Sequence, residues 1–169
     1  EISKKWQTKF ICASLNIHVN YGLGYLKDSY SKPQSFGMAH NEAFIHDYFE
    51  SYSFRSIDMV TFHKNMEADF TLISDKLKQK LKSKYSVRHA DFKNMEREAK
   101  IYTRINNDAF RNHPFYYKRV EEEDLELFKD FKMLLRPENL LFVLKDNIEV
   151  GFMLWYPDFH QLMSSKETV

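Results

Sequence analysis

A single cysteine, Cys12, stands in the 169 residues, so no internal disulfide can form. Its apolar neighbours Phe10, Ile11 and Ala13 predict a buried thiol without metal or redox duty. Charge imbalance is missing too: 25 basic and 24 acidic residues leave a net +1, which creates no global field for nucleic acid or an anionic membrane. Apolar runs such as Leu140 to Leu144 are far short of the roughly 20 residues that a membrane helix needs. No charged-then-apolar leader opens the chain. The expectation is a soluble, cytoplasmic protein with neither nucleic acid nor a membrane as partner. Gly-x-Ser-x-Gly elbows, phosphate-binding loops and paired dinucleotide glycines are absent. His40, His46 and His63 lie near one another in sequence, but the first two do not share a helical face, and no acid or thiol completes a zinc set. No metal site is expected.

What is present is apolar substance: 43% hydrophobic and 16% aromatic residues suffice for a core in one domain or two smaller ones. Both chain ends, Glu1 and "SSKETV", read as cuts or limits of order. Ile17, Val19 and Tyr21 alternate before Gly22 and Gly24, a strand and a turn. "KDSYSKPQSFGMA" reads as a loop or short edge strand. Phe44, Tyr48, Phe49 and Tyr52 then predict one helical face behind Asn41 as the capping residue. "RSIDMVTFHKN" alternates like a strand covered on both sides.

Met66, Phe70, Ile73, Leu77 and Leu81 place one apolar stripe on a helix over 66–82. Lysines 76, 78, 80, 82 and 84 scatter around its axis, which favours a solvated linker over a basic ribbon. "YSVRHAD" alternates as a strand, with Asp91 capping a helix that turns Met95, Ala99, Tyr102, Ile105 and Ala109 inward. A loop around Pro114 leads to a second helix. Four acids lie over the positive end of that helix, and Leu125, Phe128, Phe131 and Leu135 face inward. "RPEN" closes it. "LLFVLK", a turn at Asp146 and Asn147, and "IEVGFMLWY" make a hairpin whose near-continuous apolar runs predict packing on both faces. Gly151 within it marks a bulge or close packing.

The order β, α, α, β, β, carried by "IYTRINNDAF", "EEEDLELFKDFKMLLRPENLLFVLKDNIEVGF" and "PDFHQ", resembles the first half of a GNAT-type N-acetyltransferase domain. "FGMAHNEAFIHDYFESYSF" is similar to the late helix of the same fold. Together the phrases resemble a bacterial subgroup in which a degenerate GNAT-like segment precedes the recognisable domain. The resemblance implies a mixed α+β fold, with a GNAT-like central sheet and flanking helices that is incomplete in this chain. Its implied organisation is residues 1–65 as the end of a degenerate unit, 66–84 as a linker helix and 85–169 as the first half of a GNAT-like domain.

For the complete family domain the resemblance implies acyl transfer from acetyl-CoA to a small-molecule or peptide amine. The family seats the diphosphate on a Gln/Arg-x-x-Gly-x-Gly/Ala loop at a helix N-terminus, where glycines let backbone N–H groups approach. Gly22, Gly24, Gly37 and Gly151 do not have that spacing, so the strand and loop that bind the cofactor have no counterpart here. No catalytic acid or base, and no cofactor-binding residue, is nominated. The acceptor wall would comprise Asn107, Asp108, Phe110, His113, Phe115 and Tyr116 between the helices, with Trp155, Tyr156 and Asp158 at the hairpin exit. Simple core packing is the competing account of Phe110, Phe115, Trp155 and Tyr156. The competing account of the whole chain is a non-catalytic GNAT-like binding or structural domain that has lost its cofactor cleft.

Overall fold

The computed structural model describes residues 2–14, 22–35, 37–62 and 73–159. The chain divides into two compact units, Glu1–Phe62 with Asp158–Val169, and His63–Pro157. The first holds helices α1 (Ile2–Trp6) and α2 (Phe44–Ser51). The second holds α3 (Asp75–Lys82), β1 (Ser86–His89), α4 (Met95–Phe110), α5 (Glu121–Phe131), β2 (Leu140–Lys145) and β3 (Ile148–Leu154). The chain is therefore mixed α+β, and none of its described helices is long and apolar enough to cross a membrane.

In the second unit the sheet is antiparallel, in the order β1-β2-β3. Asp146 and Asn147 join β2 to β3 with φ of 52° and 62°. Two left-handed residues make the tight turn whose twist matches the strands, and Asn and Asp tolerate that conformation. The register shifts between Val143 and Leu144, which leaves Val150 as the extra residue of a bulge. Gly151 stands beside that bulge. A Cβ there would meet Val143 only at 3.9 Å, so close packing does not require the glycine.

Asp91 accepts from the Lys93 amide at 3.1 Å, and so caps a 3-10 turn, Phe92–Asn94, that feeds α4. Helix α4 buries Ala99, Tyr102 and Ile105 against Phe128 of α5 and against Leu140 and Phe142 of β2. Ala109, expected inward, is exposed, because Asn106 is the last buried position of the helix. In α5 the acids do not act alike: Asp124, one of the four expected over the helix dipole, is fully buried.

The hairpin is covered on one face only, which corrects the expectation of two. Leu140, Phe142, Phe152 and Leu154 meet the helices. Val87 and Met153 on the opposite face are exposed. Both helices contribute their apolar stripes to one cluster, and no described element covers the other side.

In the first unit, the expected strand at Ile17–Tyr21 lies outside the described residues. Gly24 has a φ of 81°, a left-handed conformation that demands glycine; the atom nearest to an added Cβ, Met59 Cε at 2.5 Å, ends a flexible, exposed side chain that can swing aside. Asn41 does not cap α2. Its Oδ1 accepts from the Leu26 amide at 2.6 Å and its Nδ2 donates to the Glu42 carbonyl at 3.0 Å, tying two loops instead. Ile45, His46 and Phe49 form the half-buried face of α2, whereas Phe44, Tyr48 and Tyr52 are exposed. Phe49 stacks on Tyr25 at 5.2 Å and meets Phe54 edge-on at 5.1 Å, and these contacts set the helix rotation.

Residues 55–62 of the expected second strand have no regular structure and are exposed; 63–65 lie outside the described residues. Alternation supplies two faces, but a strand also needs a partner for its backbone groups, and none pairs among the described residues. Cys12 is exposed, not buried, as are Phe10 and Ile11 beside it. The helix expected over 66–82 is observed as α3 from Asp75, after the Ser74 hydroxyl accepts from the Leu77 amide at 3.4 Å; Met66 and Phe70 lie outside the described residues.

Phe128 is 2% exposed at the junction of α4, α5 and the sheet, so Phe128→Ala should cost about 3–5 kcal/mol. Met133→Ala, at a side chain 95% exposed, should change stability by no more than about 0.5 kcal/mol. Urea unfolding followed by circular dichroism distinguishes the two; equal effects would contradict this core.

Candidate functional site

The loop after α4 is built around one amide. Asn107 Oδ1 accepts from the Arg119 amide at 2.9 Å and from the Tyr116 hydroxyl at 2.9 Å, while Nδ2 donates to the Arg119 carbonyl at 3.1 Å. A side chain in the last turns of α4 thereby closes residues 108–118 into a loop. Burial pushes the Tyr116 phenol above its ordinary value, which keeps it a donor at neutral pH.

Aromatic rings fill the loop. Phe110 stacks on Tyr116 with centroids 5.6 Å apart and meets His113 edge-on at 6.3 Å; His113 meets Phe115 at 6.0 Å. The His113 Nδ1 accepts from the Phe115 amide at 3.3 Å, so the neutral ring carries its proton on Nε2. Phe110 remains 46% exposed. Asp108 is exposed and pairs with Arg111 one turn on at 3.5 Å, which makes it a helix-end polar residue.

The hairpin exit is held elsewhere. Trp155 donates from its amide to the Asn139 carbonyl at 2.9 Å and from Nε1 to the Glu138 carbonyl at 3.1 Å. Trp155 and Tyr156 are partly exposed. Asp158 belongs to the first compact unit, and the other candidates belong to the second. Thus the structure gathers Asn107, Phe110, His113, Phe115 and Tyr116 into one cluster, while Trp155 is positioned by the segment before β2.

Two ionic groups flank this architecture, one buried and one partly buried. Arg119, 3% exposed, pairs with the fully buried Asp124, whose Oδ2 also accepts from the Thr103 hydroxyl at 2.5 Å. Arg119 also lies over the Tyr102 ring at 5.5 Å. Burial pushes the Asp124 carboxyl up, against the opposing pull of Thr103 and Arg119. In the second group the Arg88 guanidinium donates to Glu98 Oε2 at 2.9 Å and to Glu149 at 2.9 Å, binding β1 to α4 and β3. Desolvation disfavours charge on Glu149, but its own backbone amide together with Arg88 and Arg97 holds the carboxyl below its ordinary value. Arg104 adds a bond to the Glu149 carbonyl at 2.6 Å, capping an edge of the bulged strand.

A signal for these groups was present in the spacing. Glu98 stands on the stripe of Tyr102 and Ile105, and Asp124 on the stripe of Phe128, Phe131 and Leu135, each at steps of three and four. An acid on an apolar stripe calls for a partner, because an unpaired buried carboxylate is too costly.

An open depression of about 380 Å³ lies at the other end of α4, over Phe92, Met95 and Leu125 and rimmed by Lys93, Lys129 and Lys132. Chemically, the loop cluster offers an apolar, π-rich wall and one exposed imidazole. Among the described residues no three of His, Cys, Asp and Glu converge as metal ligands. The family models, the curated proteins and the solved structures contain no match to this chain.

Arg119→Met should cost about 3–5 kcal/mol, because it strands the buried Asp124 carboxylate. Asp124→Asn should cost less, since the amide oxygen still accepts from Arg119. Burial raises the Asp124 pKa on folding, so the folded chain holds that proton more tightly than the unfolded chain does. The stability of the parent relative to Asp124→Asn should therefore fall as pH rises from about 4 through the raised value. Urea denaturation across pH reads both effects; a difference growing with pH would contradict a carboxyl raised by burial.

Proposed function

We propose that the segment from β1 through β3 is the acceptor-side half of a GNAT-like N-acyltransferase domain, whose complete form transfers an acyl group from coenzyme A to a small-molecule or peptide amine. The observation carrying this reading is the order of elements: two consecutive helices inserted between neighbouring antiparallel strands, with a tight hairpin following. The resemblance of "LLFVLKDNIEVGF" to the family hairpin falls on β2 and β3, and "NNDAF" ends α4 at the clamp.

In this reading Phe110, His113, Phe115 and Tyr116 form part of the wall along which an amine approaches, and Trp155 and Tyr156 belong to the exit of the hairpin; Asp158, in the other compact unit, is not part of this wall. Asn107 is a positioning residue: its oxygen takes two bonds and its nitrogen one, holding the loop. Asp108, already paired with Arg111, contributes helix-end polarity. The thioester half needs a further strand and backbone amides close enough to cradle a diphosphate, and the glycines for that loop have no counterpart in this sequence.

Calorimetric titration of acetyl-CoA tests the assignment. The 169-residue chain should give no heat at micromolar concentrations. The chain extended along its reading frame should include a polar-x-x-Gly-x-Gly stretch within about 40 residues, a typical reach for one strand and its loop, and bind acetyl-CoA. Binding by the chain as it stands would overturn the missing cleft. An extension that lacks the stretch and stays silent would favour the non-catalytic domain.

A further inference from the structure

We propose that α3 is a peripheral docking helix that lays the Leu77–Leu81 stripe on an anionic lipid surface. The helix is delimited locally. Ser74 caps its first turn, Asp75 lies near its positive end, and Lys80 and Lys82 occupy its last turn. None of its residues is buried; Ile73, Leu77 and Leu81 are 42%, 44% and 41% exposed, and Tyr85 beyond it is also exposed. An apolar stripe exposed along its length has found no cover among the described residues.

The charges argue for the occupant. At about 100° per residue, Leu77 and Leu81 lie within roughly 40° of each other around the axis. Lys80 and Lys78 then stand roughly 80° to either side of the pair and Lys76 and Lys82 roughly 120° on the same two sides, while Asp75 and Gln79 lie farther round. Their scatter around the axis, which argues against a single basic ribbon, is thus two flanks of one stripe. Only Lys78 has an ion pair among the described residues, to Asp75 at 3.4 Å.

Ammonium groups bordering a narrow apolar stripe match a surface that is anionic outside and apolar within. The leucines reach the acyl boundary, while the lysine stems run alongside them and leave their charges among the headgroups. A phosphate backbone of nucleic acid would satisfy the lysines and leave the stripe in water. The helix offers two leucines and four flanking lysines, so association should be weak, reversible and dependent on salt.

Co-sedimentation of the 169-residue chain with vesicles tests the proposal. It should bind vesicles of mixed phosphatidylcholine and phosphatidylserine, bind phosphatidylcholine alone far less, and release as salt is raised. Lys76→Gln with Lys80→Gln should weaken binding by about tenfold or more, since each lysine near an anionic leaflet contributes about fivefold. Leu77→Gln with Leu81→Gln should weaken it comparably. All four positions are exposed, and an unchanged circular dichroism spectrum verifies that the variants fold. No binding to either vesicle, equal binding to both, or binding untouched by both variants overturns the proposal. So does capture by duplex DNA without vesicle binding, which would assign the lysines to nucleic acid.

Discussion

Tyr102 is the point through which the second unit holds together. Its ring meets Phe128 of α5 at 5.0 Å and Phe152 of β3 at 4.5 Å, so one side chain of α4 touches both the other helix and the sheet. Aromatic contacts of this kind combine large apolar burial with an angular preference. That preference fixes how α4 is rotated, and the rotation decides which of its residues face the interior. Ala99 and Ile105 follow Tyr102 inward; Glu98, Thr103 and Asn106 are carried in with them.

The polar residues drawn inside by that rotation explain the ionic architecture. Glu98 is taken from water and meets Arg88 of β1, which also grips Glu149 of β3. Thr103 meets Asp124, whose partner Arg119 ends the loop that Asn107 clamps. The Arg88 group joins β1 to the distant β3, and the Asp124 group joins the consecutive helices α4 and α5. Charges buried in this way contribute less to net stability than to the choice of arrangement, because any other docking leaves a desolvated carboxylate alone. The same constraint connects the core to the candidate acceptor wall: Arg119 lies over Tyr102, and its backbone is held by the residue that orients Tyr116.

The first unit relies on a smaller aromatic stack, Tyr25 on Phe49 with Phe54 against the edge. Asn41 ties the turn at Leu26 to the entry of α2, a task that removes it from helix capping. A capping residue and a loop staple use the same side-chain amide, and the longer-range partner takes it here.

Local rules marked the elements of the second unit but not all of their ends: α5 stops at Phe131, short of the expected Leu135, and Pro137–Asn139 form a separate 3-10 turn. Alternation marks β1, the pair Asp146 and Asn147 marks the hairpin turn, Asp91 marks the entry to α4, and apolar steps of three and four mark both helices. These signals are legible because each depends on residues within one or two turns of chain. Tertiary structure alone decided the rest: that the hairpin is covered on one face, that 55–62 forms no strand, that Asn41 staples instead of caps, and that Asp124 pairs inside with Arg119. It also decided which candidate residues gather around Asn107 and which do not. Whether a strand pairs, a face is covered or a carboxylate finds a cation depends on partners brought near only by folding, and no periodicity encodes them.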